Sequence, residues 1–298
     1  MGFKIFKPSI YLGNKKLRAD KIFKKSLKII SEKIGSKYLH LEDKKNILEM
    51  SFFVSKKTLI KEKIKPNFLI FVSQGQDNIF PSAAESLASK LGLNKNTLVL
   101  TLSAGCSGFV QALILSNKLL NKKNKNGLIV CAEKYSKYIS KDDIKTKILF
   151  SDAASATIVQ YKSKNNFYDE DYGHDGNNAN SLMVKNNNGL DNLIMNGQKV
   201  FLFGINNVPE SIKKISAKLT IDKYLLHNAS KIMLDTIIKK TLINPKKVCT
   251  SFHITGNTVS SSIPLLINLN YKTLLNKKVL LSGFGVGLSW ATIAIKWI

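Results

Sequence analysis

The sequence is short of the features that mark several functional classes. Its three cysteines, Cys106, Cys131 and Cys249, have no paired spacing, which suits neither a disulfide framework nor a zinc site. Acidic residues are scarce, 20 Asp and Glu against 46 Lys and Arg, and the formal net charge is +26. Such a charge invites a nucleic-acid reading through phosphate neutralisation. Yet arginine is almost missing as well: Arg18 stands alone, and the remaining cations are lysines spread along the chain. Lysine lacks the planar bidentate geometry with which base edges are read. With no helix-turn-helix, RNP or finger pattern, the basic character reads as compositional bias, able to attract an acidic partner but not to read nucleic acid. No apolar run is long enough to cross a bilayer. The opening MGFKIF alternates like a strand, lacks a signal-peptide core and cleavage site, and has no Ser or Thr where a myristoylation motif needs one. These absences predict a cytoplasmic globular protein without metal or membrane segment.

What is present is a layered α/β pattern. Strands are predicted near residues 2 to 12 and over Phe68–Ser73, Thr97–Ser103 and Gly127–Glu133, with paired runs at Lys147–Phe150 and Ser155–Tyr161. Helices are predicted over Lys44–Ile60, Ser82–Leu91 and Gly108–Asn121. The stretch Ser163–Asn180, dense in Asn, Asp and Gly, reads as a loop and a boundary, dividing the chain into 1–163 and 164–298. After it come a helix from about Lys199 to Leu219, interrupted near Pro209, and the strand Lys223–Leu226. Helix Ala229–Thr241, strand Val248–Phe252, helix Ser260–Asn268 and the strands Lys278–Ser282 and Ser289–Lys296 follow. The repeated strand-helix order suggests two pseudo-symmetric halves with an active site between them.

Cys106 lies in SAGCSGFVQALIL, directly after a buried-strand pattern and before an amphipathic helix. Backbone N–H groups and the positive end of a helix dipole favour a thiolate there, which would make the thiol a nucleophile near neutral pH. Gly105, Ser107 and Gly108 permit a tight turn and substrate approach. A buried structural cysteine is the alternative this local pattern leaves open. Taken alone, His227 reads as a core histidine, and Asn257 after Gly256 as a turn residue.

Five blocks in order change that reading. LSAGCSGFVQAL resembles the ACSGF nucleophile segment of the 3-oxoacyl-(acyl-carrier-protein) synthase III family, and MNGQKVFLFGINNVPESI resembles its MNG-x-x-VF helix. LLHNAS is similar to its HQAN segment, ITGNTVSSSIP to YGNTSAASIP, and LLSGFGVGLSWATI to GFGAGLTWG. AEKYSKYISKDDIKTKILFSDAASATIV and FPSAAESLASKLGL extend the match. The resemblance implies a thiolase-like α/β fold with α-β-α-β-α layers, and an acyltransferase working by decarboxylative Claisen condensation. It makes Cys106 the acyl acceptor. His227 and Asn257 would be the donors that hold the enolate left when a malonyl thioester loses CO2. The backbone N–H groups of Cys106 and Val286 would form a second oxyanion hole, and Phe284 an apolar wall against the malonyl carboxylate. Phe80, before Pro81, would line the acyl pocket of a neighbouring subunit in a homodimer, and Asp152 would serve structure. Implied partners are an acyl carrier protein, a malonyl thioester and acyl-CoA, all carrying phosphopantetheine, with no cofactor of the enzyme's own.

The sequence departs from the family where coenzyme A is held. No tryptophan precedes residue 289, and the family's arginines align with Ile144 and Ile232, leaving Lys231 as a nearby point charge for carrier docking. The lysine usual after the MNG-x-x-VF block is Leu202. These departures point to a specialised paralogue in lipid, polyketide or surface-sugar acyl metabolism. Non-decarboxylating acyl transfer to an alcohol or amine, and a partner subunit of a heteromeric synthase, are the alternatives. The first has little need of Asn257, and the second would be expected to lose one of the three residues.

Overall fold

A computed structural model describes residues 2–22, 32–75, 78, 80–187 and 190–298. The buried alternation of β1 (Gly2–Ile5) and β2 (Ser9–Leu12) places both strands against β8 (Ala153–Lys162), as successive antiparallel neighbours separated by Pro8. A small hairpin-like pair, β3 (Lys15–Arg18) with β4 (Tyr38–Leu41), lies beyond them. The wholly buried run β5 (Phe68–Val72) is central. It pairs in parallel with β6 (Leu98–Leu102) on one side and β7 (Asn126–Glu133) on the other, and β7 is antiparallel to β8. The first sheet thus runs β1-β8-β7-β5-β6, with β2 also on β8.

The second sheet repeats the scheme. In it β12 (Lys223–Leu226) is parallel to β13 (Lys278–Gly285), β13 is antiparallel to β14 (Ser289–Lys296), and β14 is antiparallel to β9 (Phe167–His174). The succession parallel, antiparallel, antiparallel matches that of β5, β7, β8 and β1. Even the neighbour of β5 has a counterpart, because Val248 makes a single parallel bridge to Tyr224 where β6 would lie. A separate hairpin joins β10 (Leu182–Asn187) to β11 (Leu190–Met195).

Helices complete five layers. On the outside of the first sheet lie α1 (Ile47–Glu62) and α2 (Ala83–Lys90). Asn46 and Glu49 close a capping box on α1, and Ser82 caps α2. Between the sheets lie α3 (Gly108–Leu119) and α6 (Ser262–Leu274), and outside the second sheet lie α4 (Gly197–Ser216) and α5 (Lys231–Thr241). Phe109, Val110, Leu113, Ile263 and Leu266 fill the central layer with side chains from both sheets. Truncating one of these to alanine would cost about 2–5 kcal/mol, so the position of α3 is firmly held. The architecture is the thiolase-like α/β fold with two pseudo-symmetric halves.

Several expected elements differ. Ser163–Asn180 is not a loop throughout, since β9 occupies Phe167–His174 as an edge strand whose polar, part-exposed face hid its alternation. Lys147–Phe150 is no strand: Ile144–Lys147 is one helical turn capped by Asp143, and only Phe150 bridges, to Asn257. Val248–Phe252 is likewise reduced to the one bridge, with a short helix over Phe252–Thr255. Pro209 does not interrupt α4; it is buried within one continuous helix, its neighbours held by packing on β13 and β14.

The two sheets are joined at Asn166, in the crossover between β8 and β9. Its carboxamide accepts from the N–H of Phe3 at 2.8 Å and donates to the carbonyls of Phe3 at 3.0 Å and Lys296 at 2.7 Å.

Candidate active site

The nucleophile turn begins where β6 ends. Gly105 has φ of +43°, and a Cβ there would meet Gln74 Oε1 at 2.5 Å and Val286 Cγ1 at 2.3 Å. Only glycine fits both the conformation and the space. One helical turn, Gly105–Ser107, then leads into α3, so Cys106 sits at the helix start as its sequence position suggested. The end of β13 packs directly on it. A Cβ on Gly283 would lie 2.6 Å from the Cys106 carbonyl oxygen, and one on Gly285 would lie 3.1 Å from Cys106 Sγ. Glycines from the second half therefore admit the nucleophile of the first, and Val286 follows at the same contact.

His227 directly follows β12, its N–H donating to the Ser282 carbonyl at 2.8 Å. Its ring stands edge-on to Phe284, with centroids 5.4 Å apart. Nδ1 has no hydrogen-bond partner among the described residues, and burial depresses the imidazole pKa to about 3. The ring is therefore neutral at working pH and has one N–H to give. Asn257 is held by its own backbone, which bonds in both directions to the strip Leu149–Ser151, and by its side chain. Asn257 Oδ1 accepts from the Val259 N–H at 2.8 Å. That bond fixes the carboxamide so that its NH2 end is the free one.

Cys106, His227, Asn257, Phe284 and Gly285 line one cavity of about 230 Å³. Its walls are mostly apolar, with Phe150, Leu149, Leu182, Met195, Val200, Phe201 and Met233 among them. Burial, and next the nearby Glu133, push the Cys106 thiol well above its ordinary pKa. Burial in this apolar site thus works against the free thiolate expected near neutral pH from the helix start.

The remaining candidates fall elsewhere. Lys231 lies just outside, in a groove with Glu32, Lys33, Ile232 and Lys239, and it pairs with Asp235 at 2.6 Å. An exposed pair of this kind leaves its charge largely solvated. Phe80 is 85% exposed and takes no part in the cavity of its own chain. Asp152 accepts from the N–H groups of Glu42 and Ser136, a structural role. Two features escaped the sequence reading. Lys145, next to the apolar Ile144, lines the cavity together with Ile34 and Ile232, so a cation does stand at the site. Glu133, at the end of β7, is wholly buried near Cys106, and nothing in the AEKYS run distinguished it from a surface acid. Among the described residues no cluster of His, Cys, Asp or Glu could hold a metal, and no helix is long and apolar enough to cross a membrane.

Residues 100–176 match the family profile of 3-oxoacyl-(acyl-carrier-protein) synthase III, and residues 216–297 match that of its C-terminal part. Beta-ketoacyl-(acyl-carrier-protein) synthase III of Streptococcus uberis is 30% identical over 291 residues, covering 90% of each chain. The enzyme of the same name from Lactococcus lactis is 30% identical over 291 residues, covering 89% of each. A crystal structure of 3-oxoacyl-(acyl-carrier-protein) synthase from Burkholderia xenovorans superposes with a TM-score of 0.92 at 27% identity, over 100% of this chain and 94% of that one. The chain belongs to the 3-oxoacyl-(acyl-carrier-protein) synthase III family and is an acyltransferase of that kind.

Proposed function

We propose that the protein condenses an acyl group held on Cys106 with a malonyl thioester, releasing CO2 and a 3-oxoacyl thioester. The observation that carries this reading is the convergence of a thiol, a neutral imidazole and a free amide NH2 in one apolar cavity. In the first half-reaction the Cys106 sulfur attacks the donor's thioester carbonyl. Its C–S bond forms, the donor's C–S bond breaks, and the thiol proton leaves with the departing thiol. The helix start and the N–H groups of Cys106 and Val286 offset charge on the tetrahedral oxygen. In the second, the malonyl carboxylate sits against Phe284, where desolvation favours its loss as CO2. Charge moving to the thioester oxygen is taken by the N–H of His227 and the amide of Asn257. The carbanion forms the new C–C bond at the acyl carbonyl, the bond to Cys106 Sγ breaks, and the thiolate released takes a proton from water to restore the resting thiol.

An acyl carrier protein is the proposed donor and malonyl carrier, its acidic body drawn to the lysine-rich surface. The aliphatic residues at Ile144 and Ile232 favour the carrier over coenzyme A and support a specialised role, although Lys145 leaves one cation for a phosphate. A homodimer is also proposed. Its support is the edge of β6, unpaired among the described residues, with Leu98 47% exposed, and the projecting Phe80 for a partner's pocket. The boundary between the halves is proposed at 163/164, supported by first-sheet strands that end at Lys162 and second-sheet strands that begin at Phe167. The cytoplasm is the proposed location.

Intact-mass measurement after incubation with acyl carriers and acyl-CoAs, followed by a malonyl thioester with CO2 collected, tests the reading. A Cys106 adduct that malonyl thioester converts to free enzyme, CO2 and 3-oxoacyl product supports it. An adduct discharged to an alcohol or amine without CO2 refutes it in favour of simple acyl transfer.

A further inference from the structure

One buried ionisable group has no part in the reaction just described. Glu133 closes β7 with no exposure. Its carboxylate accepts from the Gln74 N–H, at 3.3 and 3.2 Å to its two oxygens, and from the Ser260 hydroxyl at 3.3 Å. Each contact leads to a different reactive group. Gln74 Oε1 accepts from the Tyr135 hydroxyl at 2.7 Å and lies where a Cβ of Gly105 would be, against the residue preceding Cys106. Ser260 adjoins Val259, whose N–H holds the Asn257 carboxamide. One carboxylate therefore ties the loop after β5, under the nucleophile turn, to the turn that aims the amide.

We propose that Glu133 is a positioning residue of this site, clamping the Asn257 turn to the Cys106 turn and setting the charge that the sulfur faces when it ionises. The inference rests on the condensing reading for its effect on decarboxylation, but not for its effect on the thiol. The titratable and charged groups around Glu133 are Cys106, Cys131 and Tyr135, with Lys137 as the nearby cation. Burial, only partly opposed by the Gln74 N–H, raises the Glu133 carboxyl to about 8. Below that pH the acid is neutral and the sulfur ionises against an uncharged neighbour. Above it, a carboxylate opposes the thiolate.

The test is alkylation of Cys106 by iodoacetamide in the whole enzyme across pH 6 to 10, read by intact mass. In the parent the logarithm of the rate should rise with pH and bend downward near pH 8. Glu133→Gln keeps the shape and the acceptor oxygen but cannot ionise. It should rise without the bend and react on the order of tenfold faster at pH 9. Superimposable profiles would overturn the charge coupling. If circular dichroism shows Glu133→Gln unfolded, Ser260→Ala decides through the other contact. It should slow malonyl decarboxylation about fivefold more than Cys106 acylation, since it loosens the amide turn. Equal effects on the two half-reactions, or none, would overturn the clamp. A parent that acylates but releases no CO2 would instead sink the condensing reading and leave the alkylation result standing.

Discussion

Replacing Asn257 by alanine and by aspartate separates two things this side chain does. Its NH2 is the free donor in the cavity, whereas its Oδ1 accepts from the buried Val259 N–H at 2.8 Å. Alanine removes both. Loss of one oxyanion donor lowers a rate by ~10² to 10³, and the Val259 N–H left without a partner costs about 1–3 kcal/mol of stability. Aspartate keeps an oxygen for Val259 but offers the enolate no N–H, and at pH 8 a carboxylate there repels it. Asn257→Asp should therefore unfold at a denaturant midpoint nearer the parent's than Asn257→Ala does, with decarboxylation lost at least as fully. Acylation of Cys106 should survive in both. The assays are CO2 release from a malonyl thioester, intact mass for the acyl adduct, and urea unfolding. Parent-like CO2 release from either variant, or an equal fall in acylation, would refute the assignment of the amide to the enolate step.

Cys106→Ala should leave the enzyme folded and abolish the acyl adduct seen by mass, and an adduct surviving on Cys131 or Cys249 would refute the nucleophile. His227 has a folded pKa of about 3, below its unfolded value, so the folded state resists a proton that the unfolded chain accepts. Stability should therefore fall as pH drops from ~6.5 towards 3, at up to ~1.4 kcal/mol per pH unit from this one group. Thermal unfolding of His227→Gln should lose less across that window than the parent, and parallel curves would contradict a buried neutral imidazole. Acyl carrier protein should surpass acyl-CoA in kcat/KM for acylating Cys106, with the gap narrowing as salt rises beyond ~0.1 M, where the Debye length is ~10 Å. Equal use of both donors at low and high salt would show that Lys145 or another group secures the nucleotide.

Much of the fold was legible because β5, β7, β8 and α3 carry long buried runs whose period is local. What escaped was set by distant partners. β9 is a strand only because β14 offers it an edge, and Val248 shrinks to a single bridge because Tyr224 meets it at one point. The cavity residues were readable where a motif carried them: Cys106, His227, Asn257 and Phe284 all line it. Lys145 was hidden because, in the run KDDIKTK, it reads as one more solvated lysine. Glu133 was hidden because an acid at a strand end reads as solvated until three chain segments close over it. The same burial works against the expected thiol acidity, since a local sequence reveals the helix start but not the desolvation around it.

The carboxamide of Asn166 touches Phe3 and Lys296 together, so the two extremities of the described chain lie side by side at one corner. A tether of a few residues from Ile298 to Gly2 would turn the chain into a ring at small entropic cost, and the ring could be reopened at a surface loop such as Asn94–Asn96 to give a circular permutant. Equally, a polypeptide joined at either of these described extremities would set out from the same corner.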